Sequence, residues 1–272
     1  MELTRRRFAS LLGALAVGGV STAAHASGDV LQEALGRGKK PEPKDPHGAN
    51  DAHGAKDTHG AKDAHGGQPA GAHGEQKAPT TPEEIWADLM EGNKRFVAGK
   101  PRARNLIPTR AELANSQHPR VIVLTCSDSR VSPTLIFDKT LGDLFVVRTA
   151  GNIADPVALG SIEYAAEHLH STVLLVMGHE KCGAVAAALS GEKMPSPNLD
   201  AIVRKIAPAA EKAKACGDGD LVMSLAVEGN VRQSARDLLE QSQILAQEVA
   251  AKKVSIVRAV YRLKTGEVTR LT

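Results

Sequence analysis

Four short apolar runs rich in β-branched residues, at 121–125, 144–147, 172–177 and 254–261, constrain this 272-residue chain more than any other feature. The first three show no alternation of polar with apolar residues, so they suit strands buried on both faces, as in a parallel sheet. Helical patterns separate them at 156–168, 183–189, 199–215 and 220–241. That order predicts an α/β fold, a mainly parallel central sheet with helices on both faces. Lys264-Thr-Gly266-Glu267 followed by residues 268–271 predicts a turn and an antiparallel C-terminal edge strand. Upstream, Thr81-Pro82-Glu83-Glu84 reads as a helix start, with an N-cap, a proline at the first position and acids in the first turn. Ile85, Leu89 and Phe96 give this N-terminal helical arm its apolar face. The folded domain is expected over residues 82–272, a length that suits one domain.

The first 81 residues read differently. Thr4-Arg5-Arg6-Arg7-Phe8, a mild apolar stretch over 9–24 and Ala24-His25-Ala26 match a twin-arginine signal peptide over 1–26. Cleavage near Ala26 would leave Ser27 first and place the protein in the periplasm or outside the cell. The apolar stretch is short and weakly hydrophobic for an anchor, so no stable membrane insertion is expected. Residues 27–81 hold almost no large apolar side chains and are predicted to be a disordered His-rich linker. Within it, Asp51-Ala-His53-Gly-Ala-Lys56, Asp57-Thr-His59-Gly-Ala-Lys62 and Asp63-Ala-His65-Gly66 repeat, with His47 and His73 at looser spacing. Such a tract could collect extra metal ions on mobile imidazoles, or serve only as a solvated tether. The formal charge is +3, and losing the signal removes three arginines and one glutamate. The nearly neutral remainder has no field of the kind that grips nucleic acid.

Chemistry concentrates after two of the strands. Cys126-Ser-Asp128-Ser-Arg130 follows the first run, and His179-Glu-Lys-Cys182 follows the third through Gly178. In open parallel sheets ligands gather beyond the carboxyl ends of strands. Two thiolates and an imidazole suit zinc and leave a fourth position, as in catalytic sites; a structural site closed by Asp128 is the other reading. His179 and Cys182 are three apart at the expected start of a helix, so one face could present both, with the helix's positive end favouring the Cys182 thiolate. An arginine fork can hold Asp128 bidentately and keep it ionised. So fixed, the carboxylate could orient a zinc-bound hydroxide or swing in as fourth ligand. Two thiolates cancel the charge of zinc, so bound water is acidified less than by three neutral histidines, and activity is expected to rise into alkaline pH. Nucleotide and redox readings fail locally. Gly178 and Gly183 have P-loop spacing, but Ala184-Val185 replace the required Lys and Ser/Thr, no G-x-G-x-x-G follows a strand, and C-x-x-C is absent. Cys216 stands alone in a polar stretch and reads as a bystander.

Cys-Ser-Asp-Ser-Arg-Val at 126–131, Arg148-Thr-Ala-Gly-Asn152, Gly-Ser-Ile-Glu-Tyr164 and Gly-His-Glu-Lys-Cys-Gly183 together resemble the β-class carbonic anhydrases, of an exported bacterial type. The resemblance runs from about Pro82 to Thr272. It implies reversible hydration of CO₂ to bicarbonate and a proton, on one zinc per chain held by Cys126, His179 and Cys182. It implies the Asp128–Arg130 dyad in the roles above, and a homodimer or higher oligomer with sites at the subunit interface. By the same resemblance Gln117, Phe145 and Tyr164 line the CO₂ pocket, with Ala150 where the family often has Val, and the Gly183 N–H helps seat bicarbonate. Tyr164 could equally be a core aromatic beside Ile162 and Ala165. Some bacterial members have a second, inhibitory bicarbonate site built on a Trp three residues before the first zinc cysteine. Val123 stands there, so although Arg148 is present, the open form is expected. Alternatives are hydrolysis of CS₂ or COS on the same site, and a zinc-binding or storage module, for which the Asp128–Arg130 pair would have no use.

Overall fold

A computed structural model describes residues 79–217 and 219–272; the expected export signal and the histidine tract lie outside these described residues. Five strands, β1 (Val121–Cys126), β2 (Leu144–Thr149), β3 (Val173–His179), β4 (Ser255–Tyr261) and β5 (Val268–Arg270), form one sheet in the spatial order β2-β1-β3-β4-β5. The first four are parallel and β5 returns antiparallel on β4. Every residue of β1 and β3 is buried. Side chains alternate between two covered faces, which is why both sequences read as unbroken apolar runs.

The helices, in chain order, are α1 (Pro82–Val97), α2 (Leu106–Glu112), α3 (Pro133–Ile136), α4 (Pro156–Glu167), α5 (Gly183–Ser190), α6 (Pro197–Lys214), α7 (Gly219–Gln241) and α8 (Gln243–Ala250). Ile122, Leu124, Leu174 and Val176 pack beneath α4 to α8, whereas Val121, Val123, Leu175 and Met177 pack beneath α1 and α3. α1 opens with a capping box: Glu84 N–H donates to the Thr81 hydroxyl, and the Glu84 carboxylate accepts from Thr81 N–H. Further along it, buried Asn93 donates to the carbonyls of Ile136 and Gly266 and accepts from Val268 N–H. One side chain thus ties α1 to α3 and to the β4–β5 hairpin. Among the described residues no helix is long and apolar enough to cross a membrane.

Register positions the chemistry. Cys126 pairs with Thr149, Thr125 with Met177, and His179 with Tyr261. Cys126 and His179 therefore leave adjacent strands at the same carboxyl edge of the sheet.

Candidate metal centre

β1 ends at Cys126, and the following loop is pinned from both sides. Ser127 N–H donates to the carbonyl of Thr149, extending the β1–β2 pairing by one bond. From β2, Arg148 donates through Nε to the carbonyl of Cys126 (3.0 Å) and through Nη2 to that of Asp128 (2.6 Å). Within the loop, Arg130 grips Asp128 three times: backbone N–H to Oδ1 (2.9 Å), Nε to Oδ1 (2.9 Å) and Nη2 to Oδ2 (2.7 Å). Hydrogen bonding from the Arg130 guanidinium holds the Asp128 carboxyl well below the usual carboxylate range, against the opposing effect of burial.

β3 delivers the second half. His179 is its last residue and is fully buried. Its Nδ1 lies 2.9 Å from the carbonyl of Glu180, which can only accept, so Nδ1 carries the proton. Nε2 is then a bare acceptor, and it is buried with no hydrogen-bond partner among the described residues. Lys181, at φ 52°, turns the chain in the left-handed region and brings Cys182 back as the N-cap of α5. The spacing puts both ligands at the start of a helix; Cys182 does stand there as N-cap, whereas His179 belongs to the strand.

The three donor atoms lie within 4.8 Å of one another, and the two sulfurs are 3.9 Å apart. Tetrahedral zinc with Zn–S of about 2.3 Å needs sulfurs about 3.8 Å apart. An orphaned buried imidazole nitrogen beside two thiols at that separation fits zinc. The metal-free thiols share a proton. The hydrogen bond from Cys182, joined by Gly151 N–H (3.3 Å), pulls the Cys126 thiol down to about 4 despite its burial. The same hydrogen bond, with burial and the neighbouring thiolate, pushes Cys182 far up. Backbone N–H groups of α5 do favour a Cys182 thiolate, as its helix-end position predicts, but neighbouring Cys126 outweighs them. A divalent cation is what would release the second proton.

A family model described as carbonic anhydrase matches residues 121–268. Carbonic anhydrase 2 of Mycobacterium tuberculosis is 37% identical over 191 residues, 69% of this chain and 91% of that protein. The carbonic anhydrase of Mycolicibacterium smegmatis is 38% identical over 193 residues, 70% of this chain and 93% of that protein. The chain belongs to the β-class carbonic anhydrase family. The solved β-carbonic anhydrase of Coccomyxa carries the same fold, with a TM-score of 0.56 at 27% identity over 70% of this chain and 82% of that one.

Other expected residues of the β-carbonic anhydrase site divide into two groups. Ala150 directly follows the Thr149 that pairs with Cys126, and Gly183 directly follows Cys182, so both flank the donor cluster. Phe145 pairs with Ile122, four residues back along the strand from the Cys126 level, roughly 13 Å away. The Tyr164 ring stands 6.3 Å from that of Phe145 and is 47% exposed, which overturns its reading as a core aromatic. Gln117 is exposed and precedes β1, at the amino end of the sheet. Within one chain these three do not meet the cysteine corner. Sequence reasoning left Arg148 without a role and missed the Gly151 N–H contact to Cys126. A glycine just after a strand in Arg148-Thr-Ala-Gly-Asn152 was the available signal of close backbone approach.

Proposed function

We propose that this protein is an exported β-class carbonic anhydrase that uses one zinc ion to interconvert carbon dioxide and bicarbonate. His179 Nε2 carries the reading: a buried nitrogen with no hydrogen-bond partner among the described residues, beside two thiols and a carboxylate held by arginine. Zinc bound there supplies the Lewis acidity that brings the pKa of a water toward neutrality. Asp128 supplies direction. A carboxylate has about four acceptor positions, and Arg130 takes two on Oδ1 and one on Oδ2. The position left on Oδ2 accepts a hydrogen bond from the attacking water and fixes its lone pair toward carbon dioxide. Held this way, Asp128 is not free to swing onto the metal, which supports the open form.

Around the nucleophile, Ala150 provides apolar wall and the Gly183 N–H, in the first turn of α5, seats the bicarbonate anion. Gln117, Phe145 and Tyr164 complete the pocket from a second copy of the chain in a homodimer or larger assembly. His168, one helical turn beyond Tyr164 and 5.4 Å from its ring, is exposed and can pass the product proton to buffer. The twin-arginine pattern and A-x-A site support export. Deleting residues 47–74 tests the histidine tract: unchanged turnover with lost metal uptake under zinc limitation would give it a supply role.

Stopped-flow hydration of carbon dioxide by zinc-loaded residues 27–272 tests the function. Turnover that rises into alkaline pH and vanishes in Cys182→Ala supports it. Stoichiometric zinc with no hydration at any pH refutes it.

A further inference from the structure

A buried polar chain runs from α7 to the first zinc cysteine. Gly151 and Asn152 form the turn between β2 and α4, both in the left-handed region, at φ 75° and 48°. Glycine adopts this region freely and asparagine tolerates it, so what fixes the turn against Cys126 is its bonding to the helices around it. Asn230, in the middle of α7, donates through Nδ2 to the Gly151 carbonyl at 2.7 Å and lies 3.5 Å from Asn152 Oδ1. The Asn152 amide nitrogen in turn lies 3.5 Å from the Ser234 hydroxyl. Asn152, Asn230 and Ser234 are each at most 2% exposed. On its other side, Gly151 N–H donates to Cys126 Sγ at 3.3 Å. Its remaining space is closed, because a Cβ there would stand 2.6 Å from Ile206 of α6 and 3.1 Å from Ala184 of α5.

Packing does not ask for an asparagine at this place. Its buried neighbours within one turn on α7 are Ala226, Val227, Val231 and Ser234, and the only hydroxyl among them lies against Asn152 and not against Asn230. Burying an amide there costs free energy unless it is paired, and among the described residues Asn230 Oδ1 has no hydrogen-bond partner. Turning the amide over would set that oxygen against the Gly151 carbonyl. The side chain therefore tolerates one unsatisfied acceptor in order to keep its donor on Gly151.

We propose that Asn230 is a positioning residue for the zinc site: it holds the Gly151 carbonyl so that the Gly151 N–H stays aimed at the Cys126 sulfur. An N–H donor to a ligand thiolate draws charge from the sulfur and leaves the metal more Lewis-acidic, as groups behind metal ligands commonly do. Asn230 acts through Gly151 and touches neither metal nor substrate. The inference rests on the zinc reading of the site, and its test is read without turnover.

The test replaces zinc by cobalt(II) in the full chain and records the thiolate-to-cobalt charge-transfer band, together with zinc affinity by chelator competition. Asn230→Leu, close in size, should move the band to longer wavelength, because a thiolate without its donor gives up charge more easily. It should also weaken zinc binding about tenfold or more. Leu238→Ala, a destabilising change in the same helix, should leave both unmoved even where it lowers the melting temperature more. Asn230→Ser, too short to span to Gly151 and milder to the fold, should shift the band in the same direction if the leucine variant does not fold. A wild-type band and affinity in the folded Asn230 variants overturns the proposal, as does an equal shift in Leu238→Ala. Cobalt bound through thiolates in a protein that hydrates no carbon dioxide would refute the proposed function while leaving the spectroscopic test of Asn230 intact.

Discussion

Asp128 Oδ2 stands 3.8 Å from His179 Nε2, and it is the oxygen of that carboxylate to which Arg130 gives one hydrogen bond rather than two. The atom that must direct the nucleophile and the atom that must bind the metal are thus neighbours, and the fork of a single arginine sets their relation.

Arg130→Lys keeps a positive charge but cannot make the two parallel bonds, so hydration should fall about tenfold or more by stopped flow. The pH profile should move as well. Hydrogen bonding from Arg130 depresses the Asp128 carboxyl in the native protein, so it stays ionised well into acid. Without the fork it rises toward the ordinary range near 4, and Asp128 should then protonate at higher pH than in the wild type. Carboxylate titration followed by NMR in Arg130→Ala measures this; an unshifted Asp128 would show that the fork does not control the charge.

Zinc uptake should release fewer protons than two ordinary thiols would. Cys126 is pulled down to about 4 and Cys182 is pushed far up. At neutral pH the metal-free pair therefore holds one proton, and zinc binding should expel about one per ion. Affinity should weaken with falling pH, and more steeply below the Cys126 value, where a second proton must leave. Calorimetry in buffers of different ionisation enthalpy counts the protons; a count near two at neutral pH would mean that both thiols are protonated before the metal arrives.

How far the sequence reveals this molecule depends on which physics writes the signal. β1 and β3 are legible because both faces are covered, and the N-terminal helix is legible because capping is local. The ligand trio is legible because its members leave adjacent strands at one edge. α2 buries no residue and so has no apolar period to detect, while α3 is a single turn. α8 is divided from α7 by Ser242, whose hydroxyl caps the next helix and donates to the Glu163 carboxylate 79 positions away. The ion cluster around Asp138 joins residues some 40 positions apart, and no local pattern announces such a pairing. The strand end at His179 is less legible, because the left-handed Lys181 that turns the chain between it and Cys182 has no signature of its own.

That cluster gives a stability prediction. The Asp138 side chain is fully buried, bonded to Arg95 Nε at 2.6 Å, to the Arg104 guanidinium and to Arg102 N–H. Asp138→Asn should cost about 3 kcal/mol in denaturant unfolding, the low end for breaking a buried pair, because both arginines keep some contact with water. The sign in pH follows. Burial alone would raise this carboxyl, but Arg95, Arg102 and Arg104 outweigh it and depress it. The stabilisation is therefore complete above the unfolded value near 3.9 and is lost as pH falls through the lower folded value. The acid limb of the stability curve should be shallower in the asparagine variant; parallel limbs would place the dependence on other carboxylates.

The last prediction concerns where the pocket walls come from. Half-buried Phe145 and exposed Tyr164 form one pair, with Phe145 roughly 13 Å along β2 from the level of Cys126. If a second copy brings its own pair to the metal, two differently broken chains should repair each other. Cys182→Ala lacks a metal ligand but keeps the aromatic pair, whereas Phe145→Ala/Tyr164→Ala keeps the ligands and loses the wall. In a two-fold assembly of one of each, one site receives both intact halves and the other receives neither. Co-expressed with different tags and purified for both, the mixed oligomer should recover hydration approaching half that of the wild type. Activity no greater than the mean of the two parents would mean that each chain builds its pocket alone, and that Phe145 and Tyr164 serve the interface without serving the substrate.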